Sequence, residues 1–130
     1  MLNIGSHLSI SKGYMNAAIE AKSIGANTFQ FFTRNPRGGK AKDLDLEELK
    51  KLEVFMIENN FAPILAHGAY TINLCSKSKK TIEFGKSLLK DDLERLKLIP
   101  NSFYVMHPGS HVGQGSEIGK QLIIEGLNEV

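Results

Sequence analysis

The stretch SFYVMHPGSHVGQGSE, residues 102–117, contains one complete passage from a predicted strand to a predicted helix. An apolar run over residues 102–107 precedes a Pro-Gly-Ser turn, and a helical pattern begins at Glu117. His107 ends the predicted strand and His111 lies in the loop after it. In parallel α/β proteins ligands bind at this edge of the sheet, so the stretch predicts both a fold and a place for chemistry.

The same alternation of strand and helix occurs three more times before this stretch. Apolar or aromatic runs predict the strands, and apolar residues at helical spacing predict the helices between them. The predicted strands are residues 2–5, 28–32, 62–67 and 102–107, and the predicted helices lie within 11–25, 45–56, 81–99 and 117–129. Units of this kind predict parallel strands joined by right-handed crossovers.

The number of these units predicts how much of a barrel is present. A closed (β/α)₈ barrel needs eight units and roughly 250 residues, whereas this chain has 130. The sequence therefore predicts one domain, residues 1–130, of α/β TIM-barrel type with about four of the eight (β/α) units. An open doubly wound sheet is the alternative fold, because four such units satisfy it. A half barrel exposes two strand edges and an apolar interior, which predicts self-association.

Composition sets the broad class of protein. With 42% hydrophobic and 23% charged residues, one cysteine and a net charge of +2, the chain is typical of a soluble cytoplasmic domain. No apolar run is long enough for a membrane span, and no secretory signal is visible. The segment GQGSEIGK, residues 113–120, lacks the spacing of a phosphate-binding P-loop.

All four histidines fall at the ends of predicted strands or in the loops that follow them. Neutral imidazole is a common zinc ligand, and ligands from adjacent strand ends converge at a barrel mouth. None of the fourteen acids lies at a strand end, so the pattern predicts a metal site that lacks ligands. The histidines are His7, His67, His107 and His111.

The loops at the same edge carry basic residues, which suggest a phosphate-bearing substrate and equally fit a lysine-rich solvated rim. Tyr70, in the third loop, adds an aromatic ring that could stack on bases. The basic residues are Arg34, Arg37, Lys40, Lys42, Lys77, Lys79 and Lys80.

Three segments together resemble endonuclease IV, the zinc-dependent apurinic/apyrimidinic endonuclease. They are IGSHLSISKGYMNAAIEAKSIGANTFQFFTRNPR from residue 4, LAHGAYTINL from residue 65 and MHPGSHVGQG from residue 106. The resemblance covers essentially the whole chain and matches the N-terminal half of that family. It implies a TIM barrel with three zinc ions that hydrolyses the phosphodiester 5′ to an abasic site in duplex DNA.

The resemblance also implies roles for individual residues. His67 and His107 match zinc ligands, whereas Arg37 and Tyr70 match residues of loops that enter bent DNA, and Asn35 is assigned to the same contact. His7 and His111 match motif positions that support the site or contact DNA. The remaining ligands belong to the second half of the barrel, so fewer zinc ions, or none, are expected in this chain.

Two other functions remain open at this stage. The first is a non-catalytic fragment that self-associates and binds zinc or DNA weakly. The second is a sugar-phosphate isomerase of the same barrel superfamily, which also uses histidines and metals at strand ends. The loops of Arg37 and Tyr70 favour DNA over a small sugar.

Overall fold

The computed structural model describes residues 2–130, in which four strands and four helices alternate along the chain. The elements are β1 (Gly5–His7), α1 (Tyr14–Ser23), β2 (Thr28–Phe32), α2 (Leu46–Glu58), β3 (Ile64–His67), α3 (Lys79–Leu96), β4 (Ser102–Val105) and α4 (Ser116–Asn128). Within these residues, no helix is both long and apolar enough to cross a membrane.

The strands form one parallel sheet in the order β1-β2-β3-β4, which is also their order in the chain. In the register of the sheet, Gly5 is opposite Thr28, Phe32 is opposite His67, and His67 is opposite Val105. The carboxyl ends of all four strands therefore meet along one edge. The predicted arrangement of four parallel (β/α) units is confirmed.

The helices cover only one face of the sheet. Side chains alternate between the two faces of a strand, and Phe29, Phe31, Ile64 and Ala66 are buried against α1 and α2. On the opposite face the side chains are less covered, and Phe103 in β4 remains 63% exposed. A sheet covered on one face is the wall of a half barrel, whereas an open doubly wound sheet carries helices on both faces.

The first strand differs from its prediction. Residues 2–5 were expected to form it, but β1 begins at Gly5, because its ladder partner β2 begins at Thr28. Before that point the chain bonds to the side chain of Asn27, whose Oδ1 accepts a hydrogen bond of 2.9 Å from the backbone N–H of Ile4. The other predicted elements overlap the observed ones, with ends displaced by up to about three residues.

Two acids fix the start of the first two helices. Asp45 caps α2, accepting hydrogen bonds from the backbone N–H groups of Glu47 and Glu48 at 3.0 and 3.1 Å. The carboxylate of Glu48 accepts instead from the backbone N–H of Met15, in the first turn of α1, at 3.1 Å. The two helices are thereby joined just below the loops at the carboxyl edge.

Candidate metal centre and nucleic-acid interface

Three of the four histidines come together at the carboxyl edge of the sheet. His7 is the last residue of β1, His67 is the last residue of β3, and His107 follows β4 by two positions. The ring centroids of His7 and His67 are 6.3 Å apart, and those of His67 and His107 are 5.2 Å apart. The parallel register places the ends of β1, β3 and β4 at the same edge, and His107 lies two residues beyond the end of β4.

His67 is buried and held in one tautomer. Its Nδ1 lies 2.6 Å from the backbone oxygen of Gly68. A carbonyl oxygen can only accept, so Nδ1 carries the proton and the lone pair of the neutral ring is on Nε2. Metal-ligating histidines usually donate their second ring nitrogen to a carbonyl or carboxylate in this way. This tautomer of His67 therefore suits a metal ligand that binds through Nε2.

The exposed ring of His107 lies beside that of His67, so two imidazoles are available to one ion. Their chemistry fits two ligands of a zinc ion, whereas catalytic zinc sites usually have three protein ligands. Across residues 2–130, no group of three or more histidine, cysteine, aspartate or glutamate side chains could hold a metal ion. The described residues thus fit part of a zinc site.

His7 has the opposite tautomer from His67. The side-chain Nε2 of Gln30 lies 2.8 Å from Nδ1 of His7, and an amide NH₂ can only donate, so the ring proton is on Nε2. Burial, and secondarily the neighbouring ring of His67, lowers the pKa of His7 and favours the neutral ring. His7 therefore presents an N–H donor at Nε2, and its expected supporting or DNA-contacting role stays a prediction.

Tyr70 belongs to an aromatic group around the two candidate ligands. Its ring centroid lies 5.2 Å from that of Phe32, 5.7 Å from that of His67 and 5.4 Å from that of His107. Tyr70 is nevertheless 57% exposed. Its ring is supported on one side and open on the other, an arrangement suited to stacking.

The loops after β2 and β3 are bonded to one another. The backbone N–H of Tyr70 donates to the oxygen of Pro36 at 2.9 Å, and the hydroxyl of Thr71 donates to the oxygen of Gly38 at 3.2 Å. In the first of these loops, Oδ1 of Asn35 accepts from the backbone N–H of Arg37 at 3.0 Å and shapes the turn. Arg37 and Tyr70 therefore lie on adjoining loops, with Arg37 exposed.

His111 lies apart from this group and serves its own loop. Its Nδ1 accepts a hydrogen bond of 3.2 Å from the backbone N–H of Gly115, the residue that precedes α4. Its backbone oxygen accepts from the side chain of Gln114 at 2.9 Å. The structure therefore does not bring His111 next to the other three histidines, and its contact with DNA stays a prediction.

A groove of about 1210 Å³ extends from His7 between the loops after β1 and β2. Exposed Lys12, Lys40 and Lys42 line it, together with the acids Asp43, Asp45 and Glu48 and with Arg95 from α3. The charges in this groove are mixed, so the basic rim expected from the sequence is partly neutralised there.

Arg34 is not available to a substrate, contrary to its inclusion among the basic residues of the strand-end loops. Its Nε and Nη2 donate to Oδ1 of Asp92 at 3.0 and 2.6 Å, and Nη2 also pairs with Asp91 at 2.6 Å. The Arg34 and Asp92 side chains are only 3% and 0% exposed. The guanidinium therefore serves an internal ion pair.

Asp92 is the residue of this region that the sequence reasoning passed over. The acids were correctly placed in or near helices, and Asp92 lies in α3. Its helical position nevertheless points its carboxylate under the strand ends, where Thr33 and Tyr104 also bond to it. The available signal was an acid between Leu89 and Leu93 on the apolar face of the helix.

Comparison with known proteins identifies the family. Residues 19–130 match the family model described as "Xylose isomerase-like TIM barrel". The chain belongs to the xylose isomerase-like TIM barrel family. This family assignment agrees with the four parallel (β/α) units described above, and it confirms the fold class expected from the sequence.

Within the family, the most informative likeness is to endonuclease IV. The chain is 55% identical over all 130 residues to "Probable endonuclease 4" of Alkaliphilus oremlandii, and it covers 46% of that protein. It is also 55% identical to "Probable endonuclease 4" of Clostridium beijerinckii, covering 47% of it. The expected resemblance to endonuclease IV is thus confirmed, and the chain spans about half the length of these curated relatives.

Solved structures of other proteins show the same fold. The crystal structure of endonuclease IV from Thermus thermophilus matches 97% of this chain with a TM-score of 0.79 and 28% identity, and the chain covers 47% of it. A D-psicose 3-epimerase structure matches with a TM-score of 0.61 at 14% identity. The second likeness concerns the fold alone.

Proposed function

We propose that this chain carries part of the active site of a DNA-repair endonuclease that hydrolyses the phosphodiester 5′ to abasic sites in duplex DNA by multi-zinc catalysis. The observation that carries the proposal is the pair of imidazoles at adjacent strand ends, His67 with its Nε2 lone pair free and His107 beside it. The 55% identity to "Probable endonuclease 4" over the whole chain supports this choice of chemistry.

In this proposal, His67 and His107 hold zinc. When bound, zinc supplies Lewis-acid stabilisation of phosphoryl charge and a more acidic water. The chain's own residues bind and orient the ion, and the aromatic group of Phe32 and Tyr70 shields His67 from water. Since the described residues offer two ligands, we propose that this chain alone holds fewer than three zinc ions and needs ligands from a second half barrel.

The adjoining loops of Arg37 and Tyr70 form the proposed DNA contact. Tyr70 offers an open ring next to the metal ligands, and the exposed guanidinium of Arg37 can pair with a phosphate. Asn35 holds the turn beneath Arg37, and His7 offers Nε2–H to a phosphate oxygen. An abasic nucleotide is easily turned out of the duplex because it has no base to unstack.

The test uses the purified chain, zinc, and a duplex containing one abasic site, with an intact duplex as comparison. We expect tighter binding to the abasic duplex, weakened by Tyr70→Ala and by Arg37→Ala. Cleavage, if it occurs, is expected on the 5′ side of the site with an extendable 3′-hydroxyl, and it is expected to be lost in His67→Ala/His107→Ala.

The outcomes separate the parts of the proposal. Binding without cleavage supports a partial active site that requires further ligands. Cleavage that His67→Ala/His107→Ala abolishes, and the control variant Ile57→Ser at an exposed residue of α2 retains, establishes the activity and refutes the incompleteness. Equal binding of abasic and intact duplex by folded protein contradicts the proposed substrate.

A second candidate, self-association without catalysis, has its own support in the uncovered face of the sheet. Phe103 and Val105 in β4 are 63% and 36% exposed, and Ile4, before β1, is 60% exposed. Burying such apolar surface against a second copy stabilises association. We expect the sedimentation coefficient to rise with protein concentration and Phe103→Ser to reduce this rise. The control is Ile57→Ser, which changes an exposed residue of α2.

A further inference from the structure

The carboxylate of Asp92 receives hydrogen bonds from a residue just after β2 and from one in β4, the strands on either side of β3, as well as from Arg34. Its Oδ2 accepts from the hydroxyl of Thr33, which follows β2, at 2.9 Å, and from the hydroxyl of Tyr104 in β4 at 2.8 Å. Its Oδ1 accepts twice from Arg34. A carboxylate with no exposed surface and four donors is fixed in position.

Thr33 connects this carboxylate to the backbone of His67. The backbone N–H of Thr33 donates to the oxygen of His67 at 3.1 Å. The Thr33 hydroxyl has one proton, and its contact with Asp92 at 2.9 Å is shorter than its contact with the same His67 oxygen at 3.4 Å. Asp92 therefore orients Thr33, which holds one side of the peptide between His67 and Gly68.

Tyr104 and Val105, both in β4, contact Gly68 from the other side. The hydroxyl of Tyr104 lies so close to Gly68 that a Cβ at that position would overlap it. The backbone N–H of Gly68 donates to the oxygen of Val105 at 2.9 Å, which ties the peptide to β4. The oxygen of Gly68, which belongs to the next peptide, is the acceptor for Nδ1 of His67, so the position of Gly68 favours the Nδ1–H tautomer of the ring.

We propose that Asp92 is a positioning residue for the candidate zinc ligand His67. By fixing Thr33 and Tyr104 on either side of Gly68, Asp92 maintains the Nδ1–H tautomer that leaves Nε2 of His67 unprotonated. The role toward zinc rests on the proposed function, whereas the control of the tautomer does not.

The same carboxylate also supports the proposed DNA loop. Arg34, which it holds, donates from Nη1 to the backbone oxygen of Gly39 at 2.6 Å. Gly39 belongs to the loop that presents Arg37, and that loop is bonded to the loop of Tyr70. One helix side chain thus supports both the ligand and the adjoining loops.

The deciding experiment observes the imidazole of His67 directly, by two-bond ¹H–¹⁵N correlation spectra of metal-free protein. At about pH 8.5 an ordinary histidine, with a pKa near 6.5, is neutral, so the spectra report which nitrogen carries the proton. We expect a single Nδ1–H form in the wild type. We expect Asp92→Asn and Thr33→Val/Tyr104→Phe to give a mixture with the Nε2–H form.

The double variant keeps the ion pair of Arg34 and Asp92 and the aromatic ring of residue 104. It is therefore expected to remain folded even if Asp92→Asn unfolds. The matched control is Asp91→Asn, which removes the neighbouring negative charge that also pairs with Arg34. Asp91 has no bond to Thr33 or Tyr104, so the control leaves those contacts in place. Its spectrum of His67 is expected to match the wild type.

Zinc affinity, measured by competition with a chromophoric chelator, is the second readout. Loss of an outer partner of a metal-ligating histidine typically lowers affinity about 10–100-fold, and we expect a loss of this size in the double variant and not in Asp91→Asn. An unchanged His67 tautomer in folded double variant overturns the proposal. Because this spectrum involves neither metal nor DNA, a failure in the abasic-duplex assay leaves its interpretation unaffected.

Discussion

Replacing Arg34 with methionine tests whether the buried ion pair supports the strand ends. The substitution keeps a long side chain but removes the two hydrogen bonds and the positive charge that Asp92 Oδ1 receives. The side chains of Arg34 and Asp92 are only 3% and 0% exposed, so water cannot replace the lost partner. Removing one member of such a pair leaves an uncompensated buried charge.

The expected size of the effect follows from the contacts that remain. Breaking a buried pair typically costs about 3–5 kcal/mol, and the hydroxyls of Thr33 and Tyr104 still bond to Oδ2 of Asp92. We therefore expect the lower end, about 3 kcal/mol, which for a domain of this size lowers the melting temperature by about 12 °C. The free energy of unfolding is measured by urea denaturation followed by circular dichroism.

The control is Arg37→Met, the same substitution three positions along the same loop, at an exposed residue. Exposed substitutions away from special features usually change stability by less than about 0.5 kcal/mol. If Arg34→Met and Arg37→Met have free energies of unfolding within about 1 kcal/mol of each other, the pair does not stabilise the strand ends as argued.

Three further perturbations address other parts of the fold. Gly68→Ala places a Cβ on the hydroxyl of Tyr104, and we expect it to lower the free energy of unfolding in urea by about 1–3 kcal/mol. Adding Tyr104→Phe removes that hydroxyl and should restore part of the loss. If the second substitution restores nothing, the overlap is not the cause. Burial raises the pKa of Tyr14 to about 12, so the unfolded chain releases this proton first as pH rises. The contribution of Tyr14 to the free energy of unfolding is therefore fully present below about pH 10 and is lost as the pH rises toward 12. The loss of stability between pH 10 and 12 should be smaller in Tyr14→Phe than in the wild type. If the urea midpoint falls with pH at the same rate in both proteins, Tyr14 is not responsible for the loss. Asp45→Ala removes the cap of α2 and is expected to cost about 1 kcal/mol in thermal unfolding, with Asp43→Ala as the near-neutral control.

Several features of the site follow directly from the sequence. The apolar runs before His67 and His107 mark β3 and β4, and parallel strands bring their carboxyl ends to one edge. Sequence position alone therefore places the two imidazoles near one another. The tautomer of His67 could not be predicted in the same way, because it depends on the backbone oxygen of Gly68 turning toward Nδ1.

The first strand and the role of Asp92 show where sequence reasoning falls short. The apolar run at residues 2–5 has the composition of a strand, but pairing starts only where β2 supplies a partner at Thr28. An acid in an amphipathic helix is predicted to be exposed to solvent unless its bonding partners are known. Arg34 and Asp92 are 58 positions apart, and only the assembled fold brings them together.

The strand order β1-β2-β3-β4 has a consequence for how the chain acquires its structure. Gly5 pairs with Thr28, Gln30 with Leu65, and Ile64 with Ser102. Paired residues in neighbouring strands are therefore separated by no more than about 40 positions in the sequence. Each new strand can dock beside the one made just before it, during synthesis as well as in refolding. The imidazoles of His67 and His107 would then come together last, when β4 joins β3.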